Sequence, residues 1–239
     1  METKYFLGGD KSIVVEFGNE INEGINKKVI SLMKVIEKSN LKNVVTEIIP
    51  TYRSLMINYN PLNIEYDNLI NEVKELEQKL EEIKIEEPKI HEIPVCYNKQ
   101  FGIDIETVAN HNDLTVDEVI QIHTSKEYLI YMLGFTPGFP YLGGMDKRIA
   151  TPRLQIPRTK IHAGSVGIAG SQTGVYPIDS PGGWQIIGRT PIKLYDENRE
   201  QQILLRAGDF IKFVPITLDE FIKIEKYINF NQEGEKYGI

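Results

Sequence analysis

Cysteine is all but absent from this chain of 239 residues. Cys96 stands alone and cannot close an internal disulfide, which makes a reducing cytoplasm the simplest home. Histidine is scarce as well: His91, His111, His123 and His162 form neither an HExxH motif nor a Cys/His set, so no zinc site is expected. No run approaches the ~20 apolar residues of a membrane span, and the opening METKYFLGGDKS lacks the apolar core of a secretory signal. Neither membrane insertion nor export is expected. Positive charge is in deficit: 27 Lys and Arg against 34 Asp and Glu give a formal charge of −7, which argues against nucleic acid as a partner. Signatures of nucleotide binding and of a nucleophile are missing too. GSVGIAGSQTG lacks the lysine of a P-loop, and the residues after it read as strand, not as the helix that a dinucleotide-binding turn opens. Ser165 in AGSVG is out of register with a GxSxG elbow, and no serine–lysine amidase signature is present.

What is there divides in two. The first 90 residues alternate in type. KSIVVEFG reads as a strand. Ile21, Ile25, Val29, Leu32, Met33 and Ile36 recur at helical spacing, and NVVTEIIP and SLMINYN read as strands around Pro50. Leu69, Val73, Leu76, Leu80 and Ile83 mark a second amphipathic helix, and KIEEPKIHEIPVCY is extended. Strand–helix–strand–strand–helix–strand is the ferredoxin-like split pattern, so residues 1–90 are expected to form a small α/β domain. Residues 72–92 hold eight glutamates and four lysines, which read as a solvated helix face without further function. The Pro88–Pro94 stretch is the expected junction.

Residues 91–239 have a different texture. DIETVANHN and TVDEVIQIHTS are short helices, the second opened by a Thr115/Glu118 capping box. EYLIYMLGF, SVGIAG, GVYPI, WQIIGRT, IKLYD and QILLRAGDFIKFVPI read as short strands with Gly/Pro punctuation, which predicts a barrel or closed sandwich. A capped helix, TLDEFIKIEKYI, follows them. The whole is therefore expected to be α+β.

Three uncharged or nearly uncharged stretches stand out: GFTPGFPYLGG, HAGSVGIAGSQTGVYP and SPGGWQIIGRTP. In the first, glycines 134, 138, 143 and 144 permit sharp bends and Pro137 and Pro140 stiffen them, presenting Phe135, Phe139 and Tyr141 in fixed directions. Two compatible readings stand: a barrel corner packing its own aromatics, or the rigid wall of an apolar pocket. Lys147 to Lys160 holds five basic residues and no acidic one. Arg153 and Arg158 each follow a proline, and a planar guanidinium suits carboxylate or phosphate; the alternative is internal ion pairing. Gln172 and Thr173 can hydrogen-bond an amide or carboxylate, or simply belong to a hairpin. His123 falls on the apolar face of its helix with Val116, Val119 and Ile120. It reads either as a satisfied core histidine or as the candidate acid/base residue. Cys96 reads as a core residue.

GFTPGFPYLGGMDKRIATPR, AGSVGIAGSQTGVYPIDSPGGWQIIGRTP and PVCY, with GGDKSIVVEFG and AGDFIKF towards the two ends, resemble the KipI / allophanate hydrolase subunit 1 family along nearly the whole chain. The resemblance implies a cyclophilin-like β-barrel for residues 91–239. It implies a non-autonomous component, the B component, of an ATP-dependent 5-oxoprolinase that cleaves 5-oxo-L-proline to L-glutamate together with a KipA-like protein, PxpC, and a third protein, PxpA. ATP with Mg²⁺ then belongs to the complex rather than to this chain. The family's other role, inhibition of a sensor histidine kinase, is the alternative. On this footing Phe135 and Phe139 would cover the substrate ring, Arg153 and Arg158 would hold an anion, and Gln172 and Thr173 would meet the amide. The chain departs from the family pattern at His162, where a proline is usual, and at Ile103, where FGPD becomes FGID.

Overall fold

A computed structural model describes residues 2–80 and 87–237; Ile83 and the centre of the charged run at 72–92 fall outside them. The chain splits into two compact units, Met1–Pro88 and Lys89–Ile239.

The first unit contains β1 (Lys4–Leu7), β2 (Ser12–Glu16), α1 (Glu23–Lys38), β3 (Val45–Pro50), β4 (Ser54–Tyr59) and α2 (Tyr66–Gln78). Its sheet is antiparallel in the order β1-β2-β4-β3. Strict alternation in SIVVE buries Ile13 and Val15, and β4 adds Leu55, Ile57 and Tyr59 to the same face. Val29, Leu32 and Ile36 of α1 and Leu69 and Val73 of α2 complete this core. Each such side chain contributes roughly 1.5–3 kcal/mol on burial. Asn22 caps α1 by accepting from the Gly24 and Ile25 amides.

The element order is not the expected split pattern. Residues 4–7 form an additional strand, because the chain reverses at Gly8–Gly9, with Gly9 at φ +82° and the Gly8 amide bonded to Ser12 O. The strand expected to close this sheet, β5 (Ile90–Val95), instead pairs within the second unit. The β1–β2 hairpin occupies the edge beside β2 that such a strand would need, so the ferredoxin-like description does not hold.

The second unit continues from β5 with α3 (Ile105–His111), α4 (Val116–Thr124), β6 (Glu127–Leu133), β7 (Pro140–Leu142), β8 (Arg158–Ile161), β9 (Ser165–Ala169), β10 (Gln172–Val175), β11 (Ser180–Gly182), β12 (Gln185–Arg189), β13 (Phe210–Pro215) and α5 (Leu218–Tyr237). Among the described residues its strands form three sheets, β5-β13-β6-β7, β10-β9-β12 and β11-β8, and no closed barrel. Register shifts interrupt the β6–β7, β9–β12 and β8–β11 ladders, and Pro140 and Pro181 remove donors at strand positions. Between the first two sheets an isolated Cys96–Arg189 bridge stands where closure would need a continuous ladder. IKLYD and the start of QILLR are not strands; they meet only in an isolated Tyr195–Ile203 bridge. The Thr115/Glu118 capping box is formed, each residue bonding the other's backbone amide. A core from Ile93, Val95, Val119, Tyr128, Ile130, Val166, Ile168 and Phe213 lies between the sheets and α3–α4.

Candidate functional site

GFTPGFPYLGG forms a tight loop after β6, followed by β7. The loop is fastened by backbone bonds from Gly134 to Phe139 O (3.1 Å), Thr136 to Gly134 O (2.7 Å) and Phe139 to Thr136 O (3.1 Å). It holds Phe135 at φ +64°, a conformation that bulky residues avoid, with the side chain 67% exposed. Phe139, by contrast, is buried. Its ring meets Phe135, Tyr141, Tyr176 and Trp184 edge-on at 5.3–5.6 Å between centroids. The aromatic-packing reading of the loop describes Phe139, and Phe135 is left exposed beside it. Phe135 faces solvent, and Phe139 backs the surface without facing a ligand.

Trp184, the only tryptophan in the chain, belongs to this cluster and meets Phe139 and Tyr176 edge-on. Two glycines make room for these rings. A Cβ at Gly174 would lie 3.1 Å from the indole and 3.3 Å from the Phe139 ring, and one at Gly182 would collide with the Tyr176 hydroxyl. The Arg153 guanidinium stands over the Trp184 ring, 5.9 Å from its centroid. Burial pushes the Tyr176 phenol up to about 12, against the opposing pull of Arg153, a bond from the Trp184 backbone, and Arg158. The phenol therefore remains a neutral partner near neutral pH.

The two arginines are not equivalent. Arg158 Nη2 donates to Asp104 Oδ1 at 2.7 Å and Nη1 to Trp184 O at 3.3 Å. Asp104 Oδ2 accepts from the Ile186 amide at 2.7 Å. Internal ion pairing thus accounts for Arg158, whereas Arg153 is exposed with the indole as its neighbour. Gln185, next to the indole in sequence, is 6% exposed. Its Nε2 donates to Pro152 O at 2.9 Å, while its Oε1 has no partner among the described residues.

His123 and Thr173 form a separate cluster in the core. His123 is 0% exposed, with Nδ1 2.7 Å from Tyr97 Oη and Nε2 2.8 Å from Thr173 Oγ1, and its ring stacks on Phe213 at 4.5 Å. The Thr173 hydroxyl donates to Gly167 O at 3.1 Å, so it accepts from Nε2–H, and Nδ1 accepts from Tyr97. Burial pushes the imidazole down to about 3 and the Tyr97 phenol up. Both ring nitrogens are engaged, and Thr173 has its hydroxyl committed to the core instead of to a substrate amide. Gln172, next to it, is half-buried at the start of β10.

His162 lies near Asp179 (3.7 Å), which also takes Lys160 at 2.8 Å. GSVGIAGSQTG contains the β9–β10 hairpin, with Gly167 opposite Gly174 in the ladder and the Gly170 amide donating to Thr151 O. Among the described residues no group of three or more His, Cys, Asp or Glu converges to hold a metal, and no helix is long and apolar enough to cross a membrane. Cys96 is buried.

Of the residues singled out in the sequence, Phe139, Arg153 and Arg158 contact Trp184, Phe135 touches this group through Phe139, and His123 and Thr173 gather elsewhere. Trp184, Tyr176 and Asp104 were not singled out. The signal for the first two was a lone tryptophan and a tyrosine inside glycine-rich stretches, where large rings and missing Cβ atoms fit one another.

Comparison with known proteins adds a family. The model of the carboxyltransferase domain, subdomain C and D, matches residues 3–205. The 5-oxoprolinase B subunit of Bacillus subtilis is 46% identical over 224 residues, which cover 89% of this chain and 92% of that protein. The 5-oxoprolinase B subunit of Escherichia coli O157:H7 is 39% identical over 214 residues, 88% of this chain and 94% of that protein. Among solved structures, TTHA0988 superposes with a TM-score of 0.79 at 33% identity. The match covers 86% of this chain but only 40% of the TTHA0988 chain.

Proposed function

The chain belongs to the carboxyltransferase domain, subdomain C and D, family, and from that premise we propose that it is the B component, PxpB, of an ATP-dependent 5-oxoprolinase. The observation that carries this reading is the 46% identity to a 5-oxoprolinase B subunit across nearly the full length of both chains. The kinase-inhibitor alternative draws no support from the matched relatives, whose names are those of enzyme subunits.

The net reaction adds water across the lactam C–N bond of 5-oxo-L-proline to give L-glutamate, driven by hydrolysis of ATP. The surface around Trp184 suits the substrate's chemistry. Arg153 offers a guanidinium to the carboxylate, partly dehydrated by the indole beneath it. Phe135 offers an exposed apolar face to the ring. Arg158 and Phe139 support this surface from behind, and Thr173, bonded to His123 in the core, has no part in it. None of these groups is an activated nucleophile, so the bond-breaking groups come from the partners, PxpA and PxpC. ATP with Mg²⁺ belongs to the complex. The glycine-rich stretch is a β-hairpin and does not open a helix, which supports placing the phosphates elsewhere.

The test is 5-oxoproline-dependent ATP hydrolysis by this chain alone, with PxpC, and with PxpC and PxpA. Activity in the complete mixture and none from the chain alone is expected. No activity in a mixture whose partners work with another PxpB would overturn the reading.

A further inference from the structure

We propose that Asp104 is a positioning residue that fixes Trp184, and through it Arg153, leaving Arg153 as the guanidinium that meets a ligand's carboxylate. Asp104 sits immediately before α3, and both its backbone and its carboxylate are engaged. Its backbone N–H donates to Ile186 O at 2.9 Å and its Oδ2 accepts the Ile186 N–H at 2.7 Å, so one residue clasps both polar groups of the same strand position. Its Oδ1 takes Arg158 Nη2 at 2.7 Å, and the same guanidinium reaches Trp184 O at 3.3 Å. The carboxylate therefore determines, directly and through Arg158, where residues 184 and 186 run.

The indole has little freedom beyond that. Phe139 and Tyr176 meet it edge-on at 5.6 and 6.1 Å, and Gly174 closes against it. Arg153 rests on what remains. A carboxylate that is only 10% exposed at its side chain and already accepts two bonds is not an acid/base group for substrate. Nor is its guanidinium partner free to reorient towards an anion without abandoning a buried charge. The division of labour follows: Arg158 and Asp104 hold, and Arg153 binds. The ligand chemistry in this proposal, a small cyclic amide acid, rests on the 5-oxoprolinase reading; the positioning of Trp184 does not.

Trp184 reports on the site directly, because its fluorescence is that of the whole chain's only indole. The variants are D104N, R158Q and the double variant. Asparagine can accept from only one of the two donors that Asp104 serves. D104N is expected to red-shift Trp184 emission and increase acrylamide quenching. In the complete complex it is expected to raise KM for 5-oxoproline on the order of tenfold, the loss of a charge-assisted bond, with kcat changed less than about twofold. The double variant should fall short of the sum of the two single effects, since the single variants share the Asp104–Arg158 contact. If D104N does not fold, R158Q and R158K on the isolated chain carry the same fluorescence test. Unchanged quenching and KM alongside a lowered unfolding midpoint would overturn the proposal, because the pair would then be structural only. If the wild-type complex lacks 5-oxoproline activity, the functional reading fails, and the quenching of D104N against wild type still decides the positioning.

Discussion

Replacing His123 by glutamine should flatten the acid side of the stability profile, and the size of the effect follows from burial. The imidazole is 0% exposed, and its pKa is pushed down to about 3 from an ordinary 6.5 by desolvation. Its neighbours are the Tyr97 phenol, the Thr173 hydroxyl and the Phe213 and Tyr128 rings, none of them charged at neutral pH. A proton added at Nδ1 would face the Tyr97 hydroxyl, which already donates there. Between pH 6.5 and 3 the unfolded chain therefore holds one proton more than the folded chain. Stability from this residue is fully present above about pH 6.5 and falls by about 1.4 kcal/mol per pH unit as the pH drops below it, or about 2 kcal/mol at about pH 5. His123→Gln keeps a donor for Thr173 but cannot titrate. Urea unfolding at about pH 7.5 and about pH 5 measures both proteins. At the higher pH the variant should be less stable by about 1–3 kcal/mol for the lost Tyr97 bond and ring stacking. At the lower pH the difference should shrink by about 2 kcal/mol or reverse. Parallel pH profiles for the two proteins would refute the neutral, buried histidine described above.

Other substitutions probe the cluster around Trp184. Phe135→Gly removes an exposed ring held at φ +64°; relief of about 1–3 kcal/mol of backbone strain offsets the lost contact with Phe139, so the urea midpoint should not fall while KM for 5-oxoproline rises. Destabilisation by more than about 1 kcal/mol would show that the loop is not strained. Gly182→Ala drives a methyl group into the Tyr176 hydroxyl and to within 2.8 Å of Ile161 Cδ1, and should cost about 1–3 kcal/mol and red-shift Trp184 emission. Wild-type emission and stability in this variant would mean that Tyr176 moves aside freely.

Local signals in the sequence carried their own weight. The 3–4 spacing of Val29, Leu32 and Ile36 and the Thr115/Glu118 box specify α1 and α4 without help from the rest of the chain, and both are present where the pattern puts them. Pairing choices were not legible in the same way. Whether Ile90–Val95 joins the first sheet or runs parallel to β13 depends on a strand far along the chain, Phe210–Pro215, and its own alternation is the same in either place. The Gly/Pro/aromatic stretches come together in one aromatic cluster, but residue type cannot say which ring faces out. Phe135 takes a positive φ and an exposed position, and Phe139 does neither. Arg158 looked as free as Arg153 because its partner, Asp104, lies 54 positions earlier in the chain. From its position on the helix alone His123 could be read as a core histidine or as an acid/base residue; the hydrogen-bond partners that favour the first, Tyr97 and Thr173, come from distant parts of the chain.

The most direct test of the Trp184-centred site is the 5-oxoproline dependence of ATP hydrolysis by the complete complex built with Arg153→Ala, alongside proof that the variant still assembles with its partners. Arg153 is exposed and makes no buried ion pair among the described residues, so folding and assembly should be intact. The value of kcat/KM for 5-oxoproline should fall by on the order of tenfold or more, the loss of a charge-assisted contact to a carboxylate. An assembled complex with wild-type kcat/KM would contradict the account, since the guanidinium that rests on Trp184 would then have no part in holding the substrate.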